Sequence, residues 1–249
     1  MDDIHKIERL AAASWYSAYF QKSIGQWLLR ANFGVTKRAN SVWTSADMPE
    51  GDFQLESTEL FYQSLGLPVC FHISNASPKG LDDALADSRY EKVDECFQMT
   101  ALCRSIMSRT NDNSRFTYKW EQEPSSVWID EFIQLEGFSP ERHKGYKHIF
   151  ERMPPCKTFF KMYDKESLTA LGTVSVIDGY GGLSNIVVAE EHRGKGAGTQ
   201  VIRVLTEWAK NNGAERMFLQ VMKDNLAAVS LYEKIGFSPI SEHHYRIKR

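Results

Sequence analysis

The sequence predicts an α+β (α/β) protein built on a mixed, mostly antiparallel sheet flanked by helices, with a smaller α/β domain at its N-terminus. Three observations carry that expectation. Short apolar runs of strand length alternate with stretches whose apolar residues recur at helical spacing. The strand-like runs of the C-terminal half come in neighbours that turns can join. And 249 residues with 42% hydrophobic content are enough to bury the cores of two units of ordinary size.

The elements follow in order. Ile4, Ile7, Leu10, Ala11, Trp15 and Ala18 fall on one face at helical spacing, so the chain opens with an amphipathic helix. RANSVWTS is β-like. STELFYQSLGL reads as a capped helix ended by Gly66, PVCFHIS as a strand, LDDALADSRYEKV as a second helix and ECFQMTAL as another strand. Across MSRTNDNSRF, residues 107–116, apolar content drops while Ser, Asn and Asp accumulate. A domain junction is expected there, dividing the chain into 1–113 and 114–249.

Beyond the junction FTYKWEQEP is strand-like, and SVWIDEFIQLEGF and PERHKGYKHIFERM are helical, the latter stopping before Pro154 and Pro155. KTFFKMYD and TALGTVSVID resemble antiparallel strands, and Gly179, Gly181 and Gly182 supply a turn into the strand LSNIVVAE. A glycine loop follows, then a helix with Val201, Val204, Leu205 and Trp208 on one face and a stop at Gly213. The strand RMFLQVM, the helix NLAAVSLYEKIGF and a final strand running into HHYRI complete the chain.

Composition excludes several classes of function. The net charge is −2, and the two halves differ little: residues 1–113 carry 15 acids and 11 bases, residues 114–249 carry 17 and 19. Neither a nucleic-acid surface nor a membrane-binding face is written in such balances. Cys70, Cys96, Cys103 and Cys156 form no C-x-x-C pair and sit in apolar surroundings, as buried thiols of a reducing compartment would. MDDIHKIERL has no basic region followed by an apolar run, so a cytoplasmic location is expected. His243 and His244 are strand neighbours pointing to opposite faces and cannot chelate one metal together. No metal is expected.

The stretch HRGKGAGTQVI, His192 to Ile202, raises the question of function, because it sets three glycines beside two cations and then turns apolar at helical spacing. Bare backbone at a helix start is a ready anion site, each charge-assisted N–H bond contributing ~1.5 to 3 kcal/mol. Two phosphate motifs fail: Gly196 rather than Ser or Thr follows Lys195, which excludes a P-loop, and Thr199 stands where a dinucleotide loop needs its third glycine.

The loop instead resembles the pyrophosphate loop of the GNAT superfamily of N-acetyltransferases. Arg193, Gly196 and Gly198 match its pattern of Arg or Gln, two residues, Gly, one residue, Gly or Ala. Asn225-x-x-Ala228-x-x-Leu231-Tyr232-x-x-x-Gly236-Phe237 matches a second block. The resemblance covers residues 114–249. It implies the GNAT fold, with acetyl-CoA in a V-shaped gap between the LSNIVV and RMFLQV strands. Its pyrophosphate would lie on Arg193, Gly194, Lys195, Gly196, Ala197, Gly198 and Thr199, its pantetheine arm would pair with the backbone of Val187 and Val188, and Asn225 and Ala228 would flank it. Tyr232 would give a proton to the leaving thiolate, and direct transfer to a primary amine of a small molecule is the implied reaction. Acceptors of another kind, a peptide N-terminus or lysine, and a non-catalytic acyl-CoA sensor are the alternatives, and a homodimer is admitted. The resemblance identifies no general base, with Glu190, Glu191 and His192 as candidates from the loop itself. As an N-cap, Asn225 is also expected to bind a backbone N–H of the helix it opens.

FYQSLGLPV, Phe61 to Val69, echoes LYEKIGFSP, Leu231 to Pro239, which suggests a degenerate acetyltransferase copy in the N-terminal half. That half has no counterpart to RGKGAG, so one cofactor site per chain is expected, with the first half covering or shaping the acceptor side.

Overall fold

The computed structural model describes residues 3–15, 19–44, 47–48 and 55–248. The N-terminal half runs α1 (Asp3–Trp15), β1 (Phe20–Ile24), β2 (Trp27–Ala31), β3 (Val42–Trp43), α2 (Leu55–Ser64), β4 (Val69–Ser74), α3 (Leu81–Asp87), β5 (Glu91–Leu102) and α4 (Cys103–Arg109). The C-terminal half runs β6 (Phe116–Glu121), α5 (Ser126–Leu135), α6 (His143–Glu151), β7 (Lys157–Asp164), β8 (Ser167–Ile177), β9 (Tyr180–Val188), α7 (Ala197–Asn211), β10 (Arg216–Met222), α8 (Leu226–Lys234) and β11 (Ser238–Lys248).

All eleven strands join one sheet in the order β1-β2-β3-β4-β11-β5-β10-β9-β8-β7-β6. Only β3/β4 and β9/β10 are parallel, so the sheet is mixed and mostly antiparallel as expected. The order interleaves the halves. β5, from the first half, lies between β10 and β11 of the second, pairing Arg216–Met222 against Leu102–Cys96 on one edge and much of β11 on the other. β11 in turn is held by β4 on its far edge, His243 to Lys248 against Ser74 to Val69. The helices cover the faces. Ile7, Leu10 and Ala11 of α1 are buried as their spacing requires, and Trp128, Phe132, Phe150, Phe159 and Phe160 form an aromatic core under α5 and α6.

Two local expectations need correction, and two elements are additional to those expected. The stretch from Leu81 to Val93 is not one helix: α3 ends at Asp87, Arg89 adopts φ +65°, and the chain enters β5 at Glu91. Gly181 and Gly182 belong to β9 rather than to the turn; a Cβ on Gly181 would lie 2.6 Å from Met217 Sδ, so that glycine is there to let two strands approach. The hairpin β1/β2, turning at Gly25 and Gln26, and the short helix α4 were not anticipated. Ala18 and the residues from Ser45 to Gln54 other than Asp47 and Met48 lie outside the described residues. Cys70, Cys96 and Cys103 are buried and free, while Cys156 is half-buried. Among the described residues no helix is long and apolar enough to cross a membrane.

Candidate active site

β9 and β10 pair only from Tyr180, Gly181 and Gly182 to Arg216, Met217 and Phe218, and then part. A bulge in β9 drives them apart. Leu171 pairs with Val187 but Thr173 with Ser184, which leaves one extra residue on β9, and Asn185 takes φ +51° there. Asn tolerates the left-handed region because its amide can bond locally. Here Asn185 Nδ2 donates to Thr173 Oγ1 at 2.9 Å. The adjacent polar pair Ser184-Asn185 inside an apolar strand was the sequence signal of this bulge.

The gap so opened is a cleft of about 390 Å³. Leu183 to Ile186 line one side, Leu219 to Met222 the other, and Asn225, Ala228 and Tyr232 of α8 its floor. α8 is started by Asn225, whose Oδ1 accepts from Ala228 N at 3.1 Å, the expected cap. Tyr232 is half-buried, and its hydroxyl has no hydrogen-bond partner among the described residues. Desolvation pushes its phenol up to about 12, against the opposing field of Arg38.

The glycine loop lies beside this floor. Gly194 and Gly196 adopt φ +71° and +83°, and a Cβ on either would meet nothing within 4 Å, so their backbone is open to a ligand. Gly198 is a glycine for a different reason: a Cβ there would come within 3.0 Å of Leu231 Cδ2 and 3.9 Å of Val188 Cγ2, which brings the two motif blocks together. α7 has no side-chain cap, so the N–H groups of Ala197, Gly198 and Thr199 point out of its first turn without intrahelical partners. Arg193 Nε donates to Val188 O at 3.1 Å, which ties the loop to the end of β9, and Lys195 Nζ donates to Glu191 O at 2.8 Å within the turn that precedes the glycines. Val187 is buried and Val188 half-buried at that end. Glu190 and Glu191 are exposed, and His192 Nε2 lies 4.0 Å from Glu191 Oε1. None of the three lines the cleft.

Several lining residues gave no sequence signal. Thr36 and Arg38 arrive from the loop between β2 and β3, and Glu136, Phe138 and Tyr146 from the end of α5 and from α6. Glu136 reaches solvent, yet the low-dielectric walls of the cleft raise its carboxyl, with Arg38 and Arg193 opposing. Among the described residues no group of three or more His, Cys, Asp or Glu side chains is placed to hold a metal ion. His243 and His244 do face opposite sides: His243 is buried against His72, ring centroids 4.7 Å apart, and His244 Nε2 meets Asp82 Oδ1 at 2.7 Å.

The sequence profile of the acetyltransferase (GNAT) family matches residues 112–237, the span that holds both blocks and the splayed strands. The chain belongs to that family. It is 97% identical, over the full length of both chains, to the uncharacterized N-acetyltransferase YobR of Bacillus subtilis (strain 168). Its fold is similar to that of a GCN5-related N-acetyltransferase from Kribbella flavida, with a TM-score of 0.74 at 13% identity over 100% of this chain and 96% of that one. It is also similar to that of a tandem GNAT protein from the clavulanic acid biosynthesis pathway, with a TM-score of 0.67 at 12% identity over 100% and 88%. The likeness of fold to these two structures covers both halves of the chain.

Proposed function

We propose that this GNAT protein is an acetyl-CoA-dependent N-acetyltransferase that moves the acetyl group directly to the primary amine of a small molecule, with Tyr232 as the acid. The observation that carries the reading is the splayed pair β9 and β10 with Tyr232 on the cleft floor and the open glycines at its side. In this reading the pyrophosphate rests on the loop Arg193–Thr199, and the pantetheine arm extends β9 along Val187 and Val188. The amine nitrogen attacks the thioester carbonyl carbon, the C–S bond breaks, and the thiolate takes the Tyr232 proton while the amine's proton leaves to a base or to water.

Burial raises the Tyr232 phenol to about 12, so it keeps its proton until the thiolate forms beside it. Direct transfer is supported by the lining of the cleft, which among the described residues includes no cysteine to carry an acyl group. In the same proposal the N-terminal half, residues 1–113, is a degenerate copy of the catalytic half, residues 114–249. The division describes ancestry, because the sheet that joins the halves is continuous.

The test is amine-dependent thiol release from acetyl-CoA across a panel of primary amines, with the N-acetylated product identified by mass. Release that requires an amine is the expected result. A protein that is stabilised by acetyl-CoA yet releases no thiol with any amine would be an acyl-CoA-binding protein and not a transferase.

A further inference from the structure

The cleft does not end at the splayed strands. A chamber of about 490 Å³ adjoins it, and Thr36, Arg38, Phe138, Tyr146 and Met222 line both. Charge is distributed unevenly between the two. Glu136 lines the cleft and not the chamber, whereas the chamber is lined by three cations, Lys37, Arg38 and Arg142, against one acid, Asp94. Lys37 Nζ already pairs with Asp94 Oδ2 at 2.7 Å. Arg38 stands where the two spaces meet and Arg142 lines the chamber alone, so the chamber is guanidinium-rich while the cleft carries the Glu136 carboxylate.

The loop that presents Arg38 is held in place before any ligand arrives. Asn40 brackets it from within: its Oδ1 accepts from Asn32 N at 2.7 Å and Gly34 N at 3.0 Å, and its Nδ2 donates to Thr36 O at 2.7 Å. From the other half, Asn32 Nδ2 donates to Gly145 O at 3.0 Å, and Arg142 Nη1 donates to Val35 O at 3.4 Å. Gly145 is a glycine because a Cβ would strike Val35 Cγ1 at 2.2 Å. Arg142 also lies over the Phe138 ring at 4.5 Å. The N-terminal half thus closes the chamber with a rigid, cationic wall, the arrangement that recognises a planar or tetrahedral anion with little loss of side-chain freedom.

The geometry points to an anionic primary amine as the acceptor: a small molecule whose amine lies in the cleft beside Glu136 and Tyr232, and whose carboxylate or phosphate lies in the chamber on Arg38 and Arg142. The inference rests on the transferase reading above and names the substrate class of that site. It also gives the first half a task in catalysis, since Arg38 comes from residues 1–113.

The test uses the full-length protein and acetyl-CoA, with matched amines that differ in the far group: ω-amino carboxylates, phosphoethanolamine, the neutral amides and alcohols of similar length, and the diamine putrescine. The carboxylates or the phosphate are expected to exceed their neutral partners in kcat/KM by about 10- to 100-fold, the scale of charge-assisted hydrogen bonds, and whichever of the two series leads identifies the anion. Arg38→Gln should collapse the ratio of anionic to neutral kcat/KM towards one, and Arg38→Lys should restore part of it. Arg142→Gln gives an independent reading should Arg38→Gln fail to fold. Neutral amines or putrescine used as well as or better than the anions would overturn the inference while leaving the transferase reading intact, as would equal losses for both classes in Arg38→Gln and Arg142→Gln. Thiol release with no amine of any class would end both readings.

Discussion

The ends of α2 and α8 share a sequence pattern, Tyr-x-x-x-Gly, and a backbone turn. Leu67 N donates to Tyr62 O at 3.0 Å and Phe237 N to Tyr232 O at 3.0 Å, across glycines at φ +65° and +106°. The tyrosines nevertheless differ in every chemical respect. Tyr62 is fully buried. Its hydroxyl donates to Arg30 O at 3.0 Å and accepts from Arg30 N at 3.3 Å, and burial raises its phenol far above the ordinary range. Tyr232 is half-buried over a cleft, and its hydroxyl meets no hydrogen-bond partner among the described residues. The sheet beneath each helix makes the difference: β3 and β4 pair directly under α2, Val42 to Phe71 and Trp43 to His72, whereas β9 and β10 part under α8. The same helix end closes a core in one half and floors a site in the other.

The largest effect is expected from separating the halves. Residues 114–249 alone lack β5, which exposes the edges of β10 and β11 in mid-sheet. Expressed alone, that segment should aggregate or show no cooperative melt by circular dichroism; a sharp transition in a soluble fragment would show that the catalytic half stands without the first.

A paired substitution sharpens the contrast directly. Tyr232→Phe should lower turnover by ~10² to 10⁴, as for a lost general acid, and leave the melting temperature nearly unchanged. Tyr62→Phe should leave turnover close to wild type and cost ~1 to 3 kcal/mol of stability by orphaning buried Arg30 backbone groups. Steady-state kinetics and urea unfolding on both variants decide the matter, and interchanged phenotypes would break the comparison.

Gly196→Asp probes the open side of the C-terminal half. It places a side chain at φ +83° and a negative charge where the proposed site would hold the pyrophosphate. The ~2.7 kcal/mol of stabilisation that a ligand gives at a hundred times its dissociation constant should vanish for acetyl-CoA, read as a lost rise in melting temperature. A folded variant stabilised as strongly as wild type would remove the loop from the site.

The closed side is tested by its pH dependence. His243 is buried where β11 crosses between β4 and β5, and burial lowers its imidazole to about 3. An unfolded histidine titrates near ~6.5, so below that pH the unfolded state binds a proton that the folded state refuses. Stability attributable to this group is thus present above ~6.5 and falls by ~1.4 kcal/mol per pH unit down towards 3. Urea midpoints between pH 4 and 7 should fall with acid at least that steeply, because His72, buried against His243 and likewise lowered, adds its own loss, and His243→Asn should make the fall shallower.

The echo between Phe61–Val69 and Leu231–Pro239 is itself less specific than the two tyrosines suggest. Gly137 and Gly213 end α5 and α7 with the same turn, Phe138 N to Ile133 O and Ala214 N to Ala209 O, each at 2.9 Å. The pattern records how helices stop in this chain, because a left-handed residue satisfies the last carbonyls of any helix and glycine adopts that conformation without a Cβ penalty.

The features the sequence determined by itself are those whose physics is local. Asn225 caps α8, Gly196 opens α7 and Gly236 ends α8 because a few adjacent residues fix those backbone angles and hydrogen bonds, and the same locality made the likeness of the glycine loop to the family's motif readable. The bulge at Asn185 lay at the margin, with a polar pair in an apolar strand as its trace. Tertiary structure alone decided that β5 enters the sheet between β10 and β11, that Arg38, Glu136 and Tyr232, far apart in the chain, line one cleft, and that Tyr232 rather than Tyr62 faces it. Strand pairing and cleft lining depend on which distant surfaces bury together, and no short stretch of sequence carries that information.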